Sequence, residues 1–175
     1  MAIVASTVTV NAAFLQEIKE DNRELSQLLK RAEAECESAA SAPASAASMA
    51  ELLVQVRDQL AFHFALEEAY GYFEHAVDTA PRLGQRAQAL RSEHETLFRE
   101  VCSIVDAAEE ARMSRYGRRN GDAMRIAGED RLAGEDCVGK VARRFLEFCR
   151  KLKQHEAEET ELILQALDDD IGVGD

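Results

Sequence analysis

Apolar residues recur at alternating spacings of three and four through four long stretches of the chain. In the second stretch, Leu53, Val56 and Leu60 fall on one side of a helix that turns about every 3.6 residues. The same alternation runs through the other three stretches. This pattern predicts four amphipathic α-helices, at about residues 10–38, 48–78, 82–113 and 135–168.

Helix-breaking residues are scarce and fall between these stretches. The only two prolines, Pro43 and Pro81, lie in the first and second breaks, and a Gly- and Arg-rich segment at 114–134 forms the third. Long helices joined by short links predict an all-α, up-down-up-down four-helix bundle. We expect a bundle over residues 10–168, with an N-terminal extension at 1–9 and a C-terminal tail at 169–175.

The formal net charge of −12 disfavours nucleic acids and anionic membranes as partners, because both would repel the chain. No stretch approaches the roughly 20 apolar residues that span a bilayer, and the N-terminus lacks the basic and apolar regions of a signal peptide. We therefore expect a cytoplasmic protein. Since the apolar stripes are all used within one bundle, we expect a monomer or weak dimer.

The cysteines show no spacing typical of a zinc site or a redox motif, so we interpret them as reduced packing residues. They are Cys36, Cys102, Cys137 and Cys149.

Two helices carry a histidine and a glutamate four residues apart on the stripe that should be buried. His63 and Glu67 continue the apolar stripe of the second helix, and His155 and Glu159 that of the fourth. Burying an imidazole and an ionised carboxylate costs on the order of several kcal/mol unless a partner compensates for the lost hydration. A metal ion is the strongest local compensation, so the pairs indicate a metal site.

A third histidine, His94, lies on the apolar stripe of the third helix. Counting from the predicted helix ends, at about 1.5 Å per residue, places Asn22, His63, His94 and His155 at one level of the bundle. A single buried histidine bonded to a carboxylate is a common core feature. This chain has three such histidines at one depth, and two of them have a carboxylate one helical turn further along. That combination favours a shared metal site.

The fourth histidine, His75, lies beside the apolar stripe near a predicted helix end. We expect it to lie at the surface and to bind no metal. Tyr70, on the stripe one turn beyond Glu67, is expected in the core.

These motifs together resemble the hemerythrin-like, or HHE cation-binding, domain. The resemblance covers about residues 10–168 and rests on HxxxE in the second helix, Glu93-His94 in the third and HxxxE in the fourth. It implies a non-haem iron centre, typically di-iron, bridged by two carboxylates, in a protein that binds oxygen or senses oxygen or iron. The implied ligands are His63, Glu67, His94, His155 and Glu159, with Glu67 and Glu159 as the bridging carboxylates.

The chain departs from the family pattern at two positions. The first-helix histidine is replaced by Asn22, and a second histidine of the third helix by Phe98. Asp21 or Asn22 is the candidate first-helix ligand. The remaining imidazoles and carboxylates suit one or two iron ions, and they also suit manganese or zinc. Missing ligands would leave coordination positions for dioxygen or a small anion.

The sequence shows no separate acid, base and nucleophile, which favours a binding protein over an enzyme. A di-iron oxidase or peroxidase-like enzyme is an alternative, although ferritin-like bundles use Glu-x-x-His, which does not occur here. A metal-free interaction bundle and a histidine-phosphotransfer bundle are further alternatives. The last needs an exposed histidine, and only His75 is a candidate.

Overall fold

The structure is a computed structural model that describes residues 12–39, 46–69, 77–78, 80–120 and 129–172. Over these residues the chain forms long α-helices and no β-strand, and a 3₁₀ turn at Pro81–Leu83 leads into the third helix. The all-α four-helix fold predicted from the sequence is therefore confirmed. The helices are α1 (Ala12–Ala39), α2 (Ala46–Ala69), α3 (Gly84–Asn120) and α4 (Glu129–Gly172).

The four helices pack in a closed ring. Each helix contacts the next along the chain, and α1 also contacts α4. Cross-helix contacts show that α3 and α4 run antiparallel. Arg86, near the start of α3, contacts Glu161 late in α4, whereas Ser103, further along α3, contacts Arg144 early in α4.

The interior consists of two apolar clusters with buried polar side chains between them. The larger cluster includes Leu97 of α3 and Leu152 of α4, and the smaller includes Leu90 of α3 and Leu162 of α4. Along both helices the residues between these leucines include buried histidine, and in α4 also buried glutamate. The interior of the bundle therefore contains a polar layer between two apolar clusters.

The helices extend further into the third connection than the sequence predicts. The sequence indicates a link at 114–134, but α3 continues to Asn120 and α4 begins at Glu129. Arg, Ala and Leu in this segment are good helix formers, and an isolated glycine such as Gly117 costs only about 1 kcal/mol in a helix. The glycine and arginine content of this segment therefore does not mark the residues at which the two helices end and begin.

The predicted end of the second helix falls partly in residues 70–76, which lie outside the described residues, as does the predicted extension at 1–9. The domain limits remain a prediction. No helix in the described part of the chain combines the length and the apolar character needed to cross a bilayer.

Stability is expected to depend most on the larger cluster. Phe148 is fully buried, and its ring centroid lies 6.1 Å from that of Phe145. Phe148→Ala should lower the free energy of unfolding by about 3–5 kcal/mol, because a cavity replaces a large ring. Met113→Ala, at a side chain that is 63% exposed, should change it by less than about 0.5 kcal/mol. Urea denaturation of the two variants measures both values, and equal effects would contradict the difference in burial.

Candidate metal centre

Six polar side chains occupy the buried layer between the two apolar clusters. Each lies where the apolar stripe of its helix passes through the middle of the bundle, so helix periodicity alone directs it inward. All are at most 9% exposed. They are Asp21 of α1, His63 and Glu67 of α2, His94 of α3, and His155 and Glu159 of α4.

Glu67 lies between histidines of two different helices. Its Oε1 is 3.3 Å from His63 Nε2, and its Oε2 is 3.5 Å from His94 Nε2. The two oxygens of one carboxylate thus face different imidazoles. This is the arrangement that a carboxylate needs to bridge two neighbouring positions.

Glu159 closes the other side of the centre. Its Oε1 lies 3.1 Å from His94 Nε2 and 3.0 Å from His155 Nε2. Donor atoms of His94, His155 and Glu159 all lie within 4.8 Å of one another. A transition-metal ion bound at about 2.0–2.2 Å from nitrogen and oxygen ligands fits a set of this size.

The outer nitrogens of the histidines face a second set of carboxylates. His63 Nδ1 is 2.7 Å from Asp21 Oδ2, and His155 Nδ1 is 3.0 Å from Glu93 Oε2. A carboxylate on Nδ1 holds the proton there and leaves Nε2 free to bind a metal, as in carboxylate–histidine–metal triads. In both histidines Nε2 is the atom that faces the centre.

His94 is held in a different way. Its Nδ1 is 3.6 Å from Glu68 Oε1, which is too long for a hydrogen bond. Its ring instead stacks on Phe64, with centroids 4.2 Å apart and planes within 7°. The stack fixes the plane of the imidazole so that Nε2 points between Glu67 and Glu159.

Of the two first-helix candidates, the structure brings only Asp21 to the centre. Asp21 Oδ1 accepts a hydrogen bond from Gln59 Nε2 at 2.7 Å, and its Oδ2 is engaged by His63. Both oxygens are therefore in use on the outer side of the imidazole. Asn22 is exposed, because one residue along a helix turns the side chain by about 100°, and it lines a cavity that also reaches His63.

Sequence reasoning missed Glu93 and Phe64 as residues that support the histidines. Glu93 precedes His94 in the chain yet faces His155 of α4, because a position beside the inward stripe points toward the neighbouring helix. That flanking position was a usable signal. Phe98, at the position of the missing family histidine, packs against the larger apolar cluster. His75 and Tyr70 lie outside the described residues.

The carboxylates of the centre have opposite pKa shifts. Burial, together with repulsion from Glu159 and other carboxylates, raises the pKa of Glu67 to about 9. Burial also acts to raise the pKa of Glu159, but the contacts with His155 and His94 outweigh it and lower that pKa to about 2. The centre thus holds one carboxyl that favours the neutral form and one that favours the ionised form.

Buried polar atoms of the layer without a hydrogen-bond partner among the described residues include Glu67 Oε2 and His155 Nε2. The His155 atom lies 3.0 Å from Glu159 Oε1 but outside hydrogen-bond geometry. Such atoms are rare in folded proteins and require a partner. Both face the inside of the cluster, so a cation there would satisfy them. The residues present therefore fit a bound metal.

The fold and this centre define a class of protein, a four-helix bundle with a buried histidine–carboxylate cluster at mid-height. The family model described as the hemerythrin HHE cation binding domain matches residues 13–122, more than half of the chain. The chain therefore belongs to the hemerythrin HHE cation-binding family, which confirms the resemblance. The match includes His63, Glu67 and His94. No curated protein and no solved structure matches the chain.

The raised pKa of Glu67 predicts how the metal-free protein responds to pH. Its carboxyl stays protonated to about pH 9 when folded, but only to its ordinary value of 4.5 when unfolded. Unfolding between these values releases a proton, so stability falls as the pH rises from about 5 to 9. Glu67→Gln keeps the side chain neutral and should make the metal-free protein more stable than wild type at pH 8.

Urea denaturation at pH 5 and pH 8 measures this difference, and the two proteins should converge at pH 5. Glu95→Gln, an exposed residue of α3 that pairs with Arg99, is the control and should leave the pH dependence unchanged. An unaltered slope in Glu67→Gln would show that the Glu67 carboxyl is ionised in the folded protein.

Neighbouring substitutions in α1 test the role of Asp21. Asp21→Ala removes the carboxylate on His63 Nδ1 and should weaken metal affinity by about 10- to 100-fold. Asn22→Ala, one residue on but exposed, should leave the affinity unchanged. Equilibrium metal titration of the two variants, with helical content checked by circular dichroism, measures this. Equal losses would mean that Asn22 reaches the centre.

Proposed function

We propose that this chain is an iron-binding protein whose ligands are His63, Glu67, His94, His155 and Glu159. The observation that carries the proposal is the convergence of three imidazole Nε2 atoms and two carboxylates in one buried layer. In His63 and His155 a second carboxylate on Nδ1 reserves Nε2 for the centre.

The choice of iron rests on the family and on the chemistry of the donors. Imidazole and carboxylate ligands suit iron, and also manganese or zinc, so metal supply contributes to the selection. Membership of a cation-binding family supports a metal at this position. The mixed nitrogen and oxygen set leaves iron able to change oxidation state.

We propose that the iron centre binds dioxygen or a small anion and thereby carries oxygen or reports oxygen or iron status. Iron supplies the redox-active site for this when it is bound. The chain's own contribution is to exclude bulk water through the apolar clusters on both sides and to leave the centre open at one face. A cavity of about 350 Å³ between α1 and α4 reaches His63, Glu67 and Glu159 and gives a small ligand access.

The proposal predicts bound metal and its loss in a ligand variant. Untagged protein purified from iron-supplemented cells should contain at least about half an equivalent of iron, since buried ligands of this kind hold the ion through purification. His63→Ala should lose the metal and lower the melting temperature. His75→Ala, a histidine outside the predicted ligand set, should do neither. Elemental analysis and thermal unfolding measure both effects.

The ligand is tested by near-ultraviolet absorption under air and under argon. A band that appears with dioxygen and reverses on its removal supports carriage or sensing. Steady turnover of peroxide would instead support the oxidase or peroxidase-like alternative. A folded protein that contains no transition metal after reconstitution with Fe²⁺ would refute the metal centre and favour a metal-free interaction bundle.

A further inference from the structure

The contact between α1 and α4 differs from the other helix contacts of the ring. Links along the chain join α1 to α2, α2 to α3 and α3 to α4, but none joins α1 to α4. Residues 22–33 of α1 and 153–160 of α4 flank a cavity at this contact, the α1–α4 seam. Because no link constrains the seam, the two helices can separate there without a change in any connection.

The cavity in the α1–α4 seam leads from solvent to the proposed metal ligands. His63, Glu67 and Glu159 form its buried end, whereas Lys153 on its wall is exposed. A second cavity, between α2 and α3, reaches His94 but neither Glu67 nor Glu159. A buried metal site needs a path by which the ion enters. The cavity in the seam is the one of these two that reaches both carboxylates of the centre.

An ion pair spans the α1–α4 seam at this cavity. Lys153 Nζ of α4 donates a hydrogen bond to Glu33 Oε1 of α1 at 2.6 Å, and both residues line the cavity wall. The Lys153 side chain is 56% exposed and the Glu33 side chain 20%. Exposed ion pairs are weak, because water and salt screen them. This pair can therefore break while the bundle stays folded.

Two buried thiols lie within about one helical turn of this ion pair. Cys36 follows Glu33 by three residues in α1, and Cys149 precedes Lys153 by four residues in α4. Both thiols belong to the larger apolar cluster, and burial raises the pKa of Cys36 to about 12 and also raises the pKa of Cys149. Since the thiolate is the reactive form, both are poor nucleophiles in the closed bundle. Separation of α1 from α4 would expose them to solvent and increase their reactivity.

We infer that the Lys153–Glu33 ion pair is a latch on the α1–α4 seam, and that the metal ion enters and leaves the centre when this latch opens. The inference rests on the proposed function. Neither residue belongs to the proposed ligand set, so the latch controls the rates of metal loading and release and leaves the equilibrium affinity unchanged. The ion pair of Lys151 with Glu100, at 2.8 Å, joins α4 to α3 instead and does not line the cavity.

The test combines Glu33→Gln with Lys153→Gln, which removes the ion pair and keeps the net charge of the chain. In the metal-free full chain, iodoacetamide should alkylate Cys36 and Cys149 about two- to five-fold faster than in wild type, as expected from the loss of one exposed ion pair. Exposed Cys137 should react at the same rate in both proteins. In the Fe²⁺-loaded chain, transfer of iron to excess bipyridine should accelerate by the same factor. Peptide mass spectrometry measures the alkylation, and the absorbance of the iron chelate measures the transfer.

Glu100→Gln combined with Lys151→Gln is the matched control, because it removes an ion pair of the same kind from the same helix but away from the seam. It should change neither rate. The reversed pair, Glu33→Lys with Lys153→Glu, should return both rates to those of wild type. Circular dichroism checks that each variant is folded.

Unchanged alkylation of Cys36 and Cys149 in the double glutamine variant would overturn the latch. Equal acceleration in the control would also overturn it, because the whole bundle would then have loosened, and so would a reversed pair that remains fast. Faster alkylation with unchanged iron transfer would overturn the seam as the path of the metal. A wild-type chain that binds no Fe²⁺ would refute the proposed function itself, whereas the alkylation rates would still show whether the ion pair holds the seam closed.

Discussion

The structure depends on one constraint, the burial of three imidazoles and three carboxylates in a single layer. Nδ1 of His63 is engaged by Asp21 and Nδ1 of His155 by Glu93, so that Nε2 of each ring faces a carboxylate oxygen, at 3.3 and 3.0 Å. Buried polar atoms in such contacts are costly unless a proton or a cation lies between them. A cation can satisfy all of these groups at once.

The position of this layer couples the centre to the stability of the bundle. Apolar clusters above and below it exclude water, which strengthens each electrostatic interaction inside and makes an uncompensated charge more costly. The raised pKa of Glu67 favours a neutral carboxyl in the metal-free protein. Metal binding must displace that proton, so affinity for the cation and stability of the metal-free fold oppose each other at Glu67.

Helix periodicity made the fold and the inward residues predictable, because an apolar stripe at every third or fourth position is typical of a helix packed on one face. The same rule could not choose between Asp21 and Asn22, since spacings of three and four from Ile18 both suit the stripe. It marks Glu93 only as a residue beside the stripe, and whether such a glutamate is solvated or contacts a neighbouring helix depends on the packing of the helices. The pairing of carboxylates with imidazoles depends on how each helix is rotated against the next. The spacing of residues within one helix does not give that rotation.

The supports of the histidines also differ between the two sides of the centre. His63 is held by Asp21, a carboxylate whose side chain is 3% exposed, whereas His94 is held by the face of Phe64. A buried carboxylate on Nδ1 makes an imidazole more basic and a stronger donor, which an aromatic ring does not do. His63 therefore gains donor strength from its carboxylate partner that the stacking of an imidazole on an aromatic ring does not provide.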